Sequence, residues 1–206
     1  MRNSFAALAV AGCFVGAGAG LRAEVIDRIL AVVDGALVTQ SDVAIAVRLG
    51  LVPAASAPDP VSGVLDVLIE RRLMLAEVDR YAPPAPPEAD VDRHVADIRA
   101  RAGAQFDAIL LQGGISVEQL RRQVRDDLRI DAYLQQRFGA MQPSEEEILQ
   151  YYRDHPAVFS QNGAVRPFTD AHDVAKAALV AERRGVTIRD WIAGLRKRAN
   201  VNVLPR

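Results

Sequence analysis

The stretch RILAVVDGALVTQSDVAIAV, residues 28–47, decides the fold. Two apolar segments flank Asp34-Gly35. This dipeptide is a strong hairpin signal, because a type I′ turn needs positive φ at both central positions. Ser41 is typical of a helix N-cap and predicts a helix over about 42–50, directly after the hairpin. The hairpin should also pair with a further strand, since two strands alone are only marginally stable.

The far end of the chain provides the other strand candidate. Residues 200–204, NVNVL, alternate between polar and apolar side chains, which is typical of a short strand. We therefore expect the two ends of the folded chain to meet in one small antiparallel sheet. Residues 24–206 would then form one closed unit that is mainly α, with a small sheet made from the N-terminal hairpin and the C-terminal strand.

Apolar spacing and capping signals predict helices between these two ends. Ser116 with Gln119, and Ser144 with Glu147, are capping boxes that begin two of the helices. Thr169 should begin a helix that Gly185 interrupts. The predicted helices cover about 61–81, 88–101, 106–112, 117–138, 145–154, 169–184 and 187–199.

Two connecting segments separate groups of helices. Residues 83–87, PPAPP, predict a stiff extended link. Residues 160–167 form a polar connector between Phe159 and Phe168.

Residues 1–23 have the composition of a secretory signal. Arg2 is followed by an uncharged run from Phe5 to Leu21, which contains four glycines and ends in small residues. That run has 17 residues, whereas a membrane-spanning helix needs roughly 20. We therefore expect export and cleavage, with no stable membrane insertion. Cys13, the only cysteine, leaves a lipoprotein anchor open as a minor alternative.

Charge and motifs exclude several classes of function. The chain of 206 residues carries 25 basic and 26 acidic side chains, whereas nucleic-acid binding needs a basic surplus. We find no nucleophile elbow, phosphate-binding loop or paired C-x-x-C motif. His172 lies among acidic residues, but it is better explained as part of a polar first helical turn than as a metal ligand. We predict no catalytic residues, no metal and no cofactor.

The hairpin, helices and closing strand together resemble the SurA-like periplasmic chaperones. The opening hairpin and the Gly-Ile-Ser helix start are the most specific parts of this resemblance, and the Pro-Ser-Glu-Glu-Glu stretch is similar to the family's helix before its isomerase domain. The matching residues are 25–35, 38–42, 68–75, 114–116, 120–134, 143–148, 151–152, 191–196 and 201–204.

The resemblance implies a chaperone module without its usual isomerase domain. Members of the family carry parvulin-type prolyl isomerase domains before the closing helix, a place where this chain has only 160–167. A folded domain takes roughly 50 residues or more. The implied organisation is a signal peptide at 1–23 and one chaperone module at 24–206, whose N-terminal part is 24–159 and whose closing part is 168–206.

The implied function is that of an ATP-independent periplasmic holdase. It would bind unfolded outer-membrane or secreted polypeptides in an apolar cleft and assist outer-membrane protein assembly. Two alternatives remain open: a non-catalytic subunit of an export or envelope-assembly pathway with one dedicated partner, or an inactive relative of the isomerases. Four apolar residues beside glycines or at helix ends are candidates for the cleft, although they could also be ordinary core residues: Leu110, Leu111, Phe138 and Met141.

Overall fold

The computed structural model describes residues 27–52, 59–161 and 164–205. The predicted signal peptide and Cys13 lie outside these residues. The strands are β1 (Ile29–Val33), β2 (Ala36–Thr39), β3 (Ser160–Gln161), β4 (Ala164–Val165) and β5 (Val201–Val203). The helices are α1 (Gln40–Arg48), α2 (Pro60–Tyr81), α3 (Glu88–Ala102), α4 (Phe106–Gln112), α5 (Val117–Phe138), α6 (Glu145–Asp154) and α7 (Phe168–Arg198). The predicted fold class, mainly α with a small antiparallel sheet, is confirmed.

The N-terminal hairpin and the C-terminal strand form one sheet of order β2-β1-β5. Asp34 and Gly35 both have positive φ, at 47° and 86°, as a type I′ turn requires. β5 pairs antiparallel with β1, and Val33 lies opposite Val201. The predicted meeting of the two ends is therefore confirmed.

The start of α1 differs from the prediction. Thr39, not Ser41, is the N-cap: its Oγ1 accepts a hydrogen bond from the backbone N–H of Asp42, and the Asp42 carboxylate accepts one from the Thr39 N–H. Ser41 instead donates its backbone N–H to Asp27. The helix therefore covers Gln40–Arg48 instead of 42–50, because a capping box satisfies two backbone donors at once.

The capping boxes predicted for α5 and α6 are confirmed. Ser116 pairs reciprocally with Gln119 at the start of α5, and Ser144 pairs reciprocally with Glu147 at the start of α6. Residues 82–87 contain neither helix nor strand, which agrees with the extended link predicted over 83–87.

The predicted break at Gly185 is wrong, because α7 runs through it as one helix of 31 residues. Thr187 does not cap a new helix. Its hydroxyl donates to the carbonyl of Arg183, one turn earlier in the same helix. A glycine inside a helix costs only about 1 kcal/mol, and the long face that α7 buries outweighs this penalty. The buried residues of that face are Ala171, Ala175, Leu179, Ile192 and Leu195.

The polar connector contains structure that was not predicted. β3 and β4 pair antiparallel, with Ser160 opposite Val165, and make a separate two-stranded ribbon. Tyr152 of α6 donates its hydroxyl to the carbonyl of Arg166 at 2.6 Å, which holds the end of the ribbon near α6.

Four apolar clusters support the fold. One joins the sheet to α1, α2 and α7, and a second joins α1, α3, α4 and α5. A third lies between α6 and the first half of α7, and the fourth lies where α2, α5 and α7 meet. Within the described ranges, no helix has the length and apolar character needed to cross a membrane.

Candidate functional site

Four aromatic rings lie where α2, α5 and α7 meet. The Tyr81 and Tyr133 ring centroids are 5.6 Å apart, and Trp191 lies 5.8 Å from Tyr133. Phe138 extends the series, 5.6 Å from Trp191. These spacings fall within the range at which aromatic pairs stabilise each other beyond simple burial. We call Tyr81, Tyr133, Trp191 and Phe138 the aromatic cluster.

The ends of two helices determine where the aromatic cluster lies. Tyr81 is the last residue of α2, and Ala82 follows it in the left-handed conformation with φ 44°. Pro83 then begins the extended link. Tyr133 and Phe138 occupy the last two turns of α5, and Trp191 lies well inside α7. The cluster therefore depends on segments that are far apart in the sequence.

Arg137 places a positive charge beside the cluster. Its guanidinium donates to the Tyr133 hydroxyl at 2.8 Å. The guanidinium carbon also lies 5.5 Å from the Phe138 ring centre and 6.0 Å from that of Trp191. Contacts of this kind contribute about 0.5–1 kcal/mol each at exposed sites. Arg137 thus contacts three of the four rings while remaining exposed to solvent.

A cavity of about 350 Å³ opens to solvent at one end of the aromatic cluster. Its lining residues are Tyr81, Pro83, Tyr133, Gln136 and Arg137. Tyr81 is 58% exposed, whereas Tyr133 is 6% exposed. Tyr81 therefore forms the solvent-exposed side of the cavity, and Tyr133 forms its buried side. Ring faces and a proline suit an apolar or aromatic side chain, while the Gln136 amide and the Arg137 guanidinium can bond the carbonyls of an extended chain.

The structure places the four sequence-predicted residues in two different regions. Leu110 is packed in the core of α1, α3, α4 and α5 at 4% exposure, whereas the neighbouring Leu111 is 81% exposed. Phe138 belongs to the aromatic cluster, and Met141 is half-buried just after α5. Phe138 thus contacts Trp191 in the aromatic cluster but is not among the residues that line the cavity. A role for any of the four in binding stays a prediction.

Sequence reasoning missed three members of the aromatic cluster and Arg137. One local signal was available: Tyr133 and Arg137 are four residues apart, a spacing that brings side chains together on one helix face. A second was Tyr81, an aromatic residue immediately before a proline-rich link. The contact with Trp191 has no local signal, because it depends on how α7 packs against α5.

Two other groups of polar side chains in the described chain are engaged in structural contacts. His172 contacts Asp173 and Glu145 at 3.0 Å and 2.8 Å, and these two carboxylates raise its pKa. Burial raises the pKa of Asp127, although its partner Arg71 opposes this effect. No group of histidines, cysteines and carboxylates within the described ranges could hold a metal ion.

The comparisons with known proteins give a likeness in fold. No protein-family model matches the sequence, and a search of curated proteins finds no match either. The structure is similar to a solved chain described under "The virulence factor PEB4 and the periplasmic protein Cj1289 are two structurally related SurA-like chaperones", from Campylobacter jejuni. The TM-score is 0.54 at 14% identity, covering 87% of this chain and all of the other. This chain has a SurA-like fold.

Proposed function

We propose that this protein is an ATP-independent periplasmic chaperone that holds unfolded outer-membrane or secreted polypeptides. The observation that carries the proposal is the open cavity of about 350 Å³ beside the exposed Tyr81, on a SurA-like fold. The likeness extends over nearly the whole chain, which favours a role of the same general kind.

Binding in this cavity requires no chemical step. A client side chain that leaves water for the faces of Tyr81 and Tyr133 gains roughly 1.5–3 kcal/mol before the cost of ordering the chain. Several such contacts are needed to hold a client, and because each one is weak the client can be released and can fold. Hydrogen bonds from Gln136 and Arg137 to backbone carbonyls do not depend on client sequence, which suits a protein with many clients.

The proposal includes export and a single chaperone module. Residues 1–23 act as a cleaved signal peptide and 24–206 form the module, in which 160–167 take the place of an isomerase domain. N-terminal sequencing of protein isolated from the cell envelope tests the first point. A mature chain that begins between Ala19 and Glu24 supports it, whereas an intact Met1 or a lipid on Cys13 contradicts it.

The decisive experiment measures the aggregation of a client. A urea-unfolded outer-membrane protein is diluted into buffer without ATP, and light scattering is followed with increasing amounts of the mature protein. We expect suppression near equimolar ratios and loss of protection on dilution, because holding follows mass action. Added salt should have little effect, since the main contacts are apolar.

Matched variants locate the binding surface. Tyr81→Ala removes an exposed ring from the cavity, and Gln136→Trp fills the cavity. Val158→Ala removes a side chain of similar exposure, 57% against 58%, that does not line this cavity. We expect the first two variants to need several-fold more protein for the same protection, and Val158→Ala to match the wild type. Equal protection by all three would remove the cavity from the proposal.

Two further arms test the remaining alternatives. Leu111→Ala examines the exposed candidate residue of α4; weaker protection would add that surface to the site. No suppression by a several-fold excess of wild-type protein would instead favour a dedicated subunit. Affinity isolation from cells should then recover one stable partner in fixed proportion.

A further inference from the structure

A second cavity lies between the hairpin and α5, beside the middle of α2. Its volume is about 290 Å³. Side chains from four elements meet there: β2, α1, α2 and the start of α5. Its apolar lining consists of Val38, Ile45, Leu68 and Ile115. Ile45 and Leu68 are buried at 4% and 7% exposure, so this lining is a fixed apolar surface.

The acidic residues around this cavity are already engaged. The Asp42 carboxylate accepts the backbone N–H of Thr39 at 2.9 Å as part of the α1 cap. Asp126 pairs with Arg129 at 3.4 Å, one turn further along α5. Neither carboxylate is therefore the dedicated partner of an arginine that lines the cavity.

Of the three arginines that line the cavity, one has partners. Arg71 forms an ion pair with Asp127 and donates to the carbonyl of Gln123 at 2.9 Å. Among the residues that the structure describes, Arg72 and Arg122 form neither a hydrogen bond nor an ion pair with any side chain or backbone group. The cavity therefore combines a fixed apolar surface with two guanidinium groups that have free donors.

We propose that this cavity binds the C-terminal residue of a client polypeptide. The α-carboxylate pairs with Arg72 and Arg122, and the apolar side chain of the same residue packs on the surface formed by Val38, Ile45, Leu68 and Ile115. This inference rests on the proposed function, which it deepens by naming a chain end as one part of the client. It adds a site to the chain that is separate from the aromatic cluster.

The size of the cavity favours a chain end over a chain that runs through. Ligand pockets usually have volumes of about 300–1,000 Å³, so 290 Å³ lies at the lower limit and suits roughly one residue. Only a C-terminal residue, or a free acid of similar size, carries an apolar side chain and a carboxylate on the same carbon. Guanidinium groups match a carboxylate in geometry as well as charge, because they can donate two parallel hydrogen bonds.

Fluorescence anisotropy with short labelled peptides tests the site. One peptide ends in Leu-Phe with a free carboxylate, and a second has the same sequence with a C-terminal amide. A third ends in the amide but carries an internal aspartate before the apolar pair. We expect the free acid to bind mature wild-type protein at least about tenfold more tightly than either amide, because hydrogen bonds to charged groups contribute more than neutral ones.

Substitutions connect that preference to the two arginines. In the double variant Arg72→Gln/Arg122→Gln, the free acid should bind no better than its amide. Arg153→Gln, on the exposed side of α6, should leave the preference unchanged. Circular dichroism of each variant verifies folding, and the single variants Arg72→Gln and Arg122→Gln should each show a partial loss.

The remaining outcomes separate this inference from the proposed function. Equal binding of the free acid and its amide to wild-type protein overturns the terminal site. The site is also overturned if the peptide with the internal aspartate binds as tightly as the free acid. If the double variant keeps full preference for the acid, the assignment to Arg72 and Arg122 is wrong. Suppression of client aggregation by the same preparations would still support the chaperone role, which depends on the aromatic cluster.

Discussion

Asp34 and Asn200 join the two ends of the described fold through a reciprocal pair of hydrogen bonds. The backbone N–H of Asn200 donates to the Asp34 carboxylate at 2.8 Å, and the backbone N–H of Asp34 donates to the Asn200 carbonyl at 3.0 Å. Asp34, which lies in the hairpin turn, is therefore also the residue that bonds to the chain immediately before β5. One residue thus contributes to both the hairpin turn and the closure of the sheet.

Asp34→Ala should destabilise the protein by about 1–3 kcal/mol. The variant loses a hydrogen bond to a charged acceptor, and alanine tolerates the positive φ of 47° less well than aspartate does. Asp34→Asn is the matched control, because asparagine keeps an acceptor oxygen and accepts the left-handed conformation. Urea unfolding of both variants measures the difference. Equal stability of Asp34→Ala and Asp34→Asn would show that the side-chain bond contributes nothing.

Removal of residues 200–206 should lower the melting temperature and promote self-association. β5 covers one edge of β1, and its loss leaves unpaired backbone groups on a strand that is otherwise central. The Leu204 N–H also donates to the Leu30 carbonyl at 2.9 Å, which extends the pairing beyond the strand itself. Thermal melting and light scattering of the truncated mature chain test this expectation. A truncated chain that melts like the full one would contradict closure as a stabilising feature.

Short-range signals explain which parts of the fold could be predicted. Asp34-Gly35 determines its own turn, and Ser116 with Gln119 satisfies donors within one helical turn, so neighbouring residues contain the needed information. The α1 cap was missed although a local signal existed: Thr39 has an acidic residue three positions later, whereas Ser41 has Ala44. A capping residue with a reciprocal partner satisfies two backbone donors, whereas one without a partner satisfies only one.

Long-range packing explains what the sequence could not provide. The continuity of α7 at Gly185 reflects a buried face that includes Leu179 on one side of the glycine and Ile192 on the other. A prediction from neighbouring residues includes the low helix propensity of glycine, but it does not include the residues against which that face packs. The aromatic cluster has the same character, since Tyr81 and Trp191 approach through packing of three helices that no short window of sequence contains.

Gly113→Ala should destabilise the protein by about 1–3 kcal/mol. A methyl group there would lie 2.5 Å from the side chain of Ile45, which is 4% exposed and packed between α1 and α4. Gly194→Ala is the control, because its nearest neighbour is the flexible end of Arg198 at 3.6 Å. That change inside α7 should stabilise by about 0.5–1 kcal/mol. Urea unfolding gives both values, and the same sign for both would contradict this account of α1 and α4.

The chain should not accelerate prolyl isomerisation. Residues 160–167 include β3 and β4 and are far fewer than the roughly 50 that a folded domain takes. In a protease-coupled assay with a proline peptide, the rate should equal the uncatalysed rate at every protein concentration. A parvulin added to the same assay shows that acceleration would be detected. A rate that rises in proportion to this protein would refute the expectation.

The attachment of α6 to α7 should depend on pH with opposite signs at its two ion pairs. Asp173 and Glu145 raise the pKa of His172 above its usual 6.5, so this pair stabilises fully below 6.5 and is lost as pH rises through the raised value. Bonds from Arg183 and from the Ser144 backbone lower the pKa of Glu147 from 4.5 to about 2. That pair stabilises above 4.5 and is lost as pH falls towards 2. Both contribute together between about 4.5 and 6.5.

Two variants separate these contributions. The melting temperature of wild type should exceed that of His172→Gln at pH 6, and the difference should shrink as pH rises. The difference from Glu147→Gln should instead be constant near neutrality and shrink as pH falls below 4.5, where Glu147 takes up protons in the unfolded chain. Glutamine retains the capping bond to Ser144, so Glu147→Gln removes the charge and not the cap. Differences that do not change with pH would mean that packing of Ile148 and Phe159 against α7, and not charge, holds the two helices together.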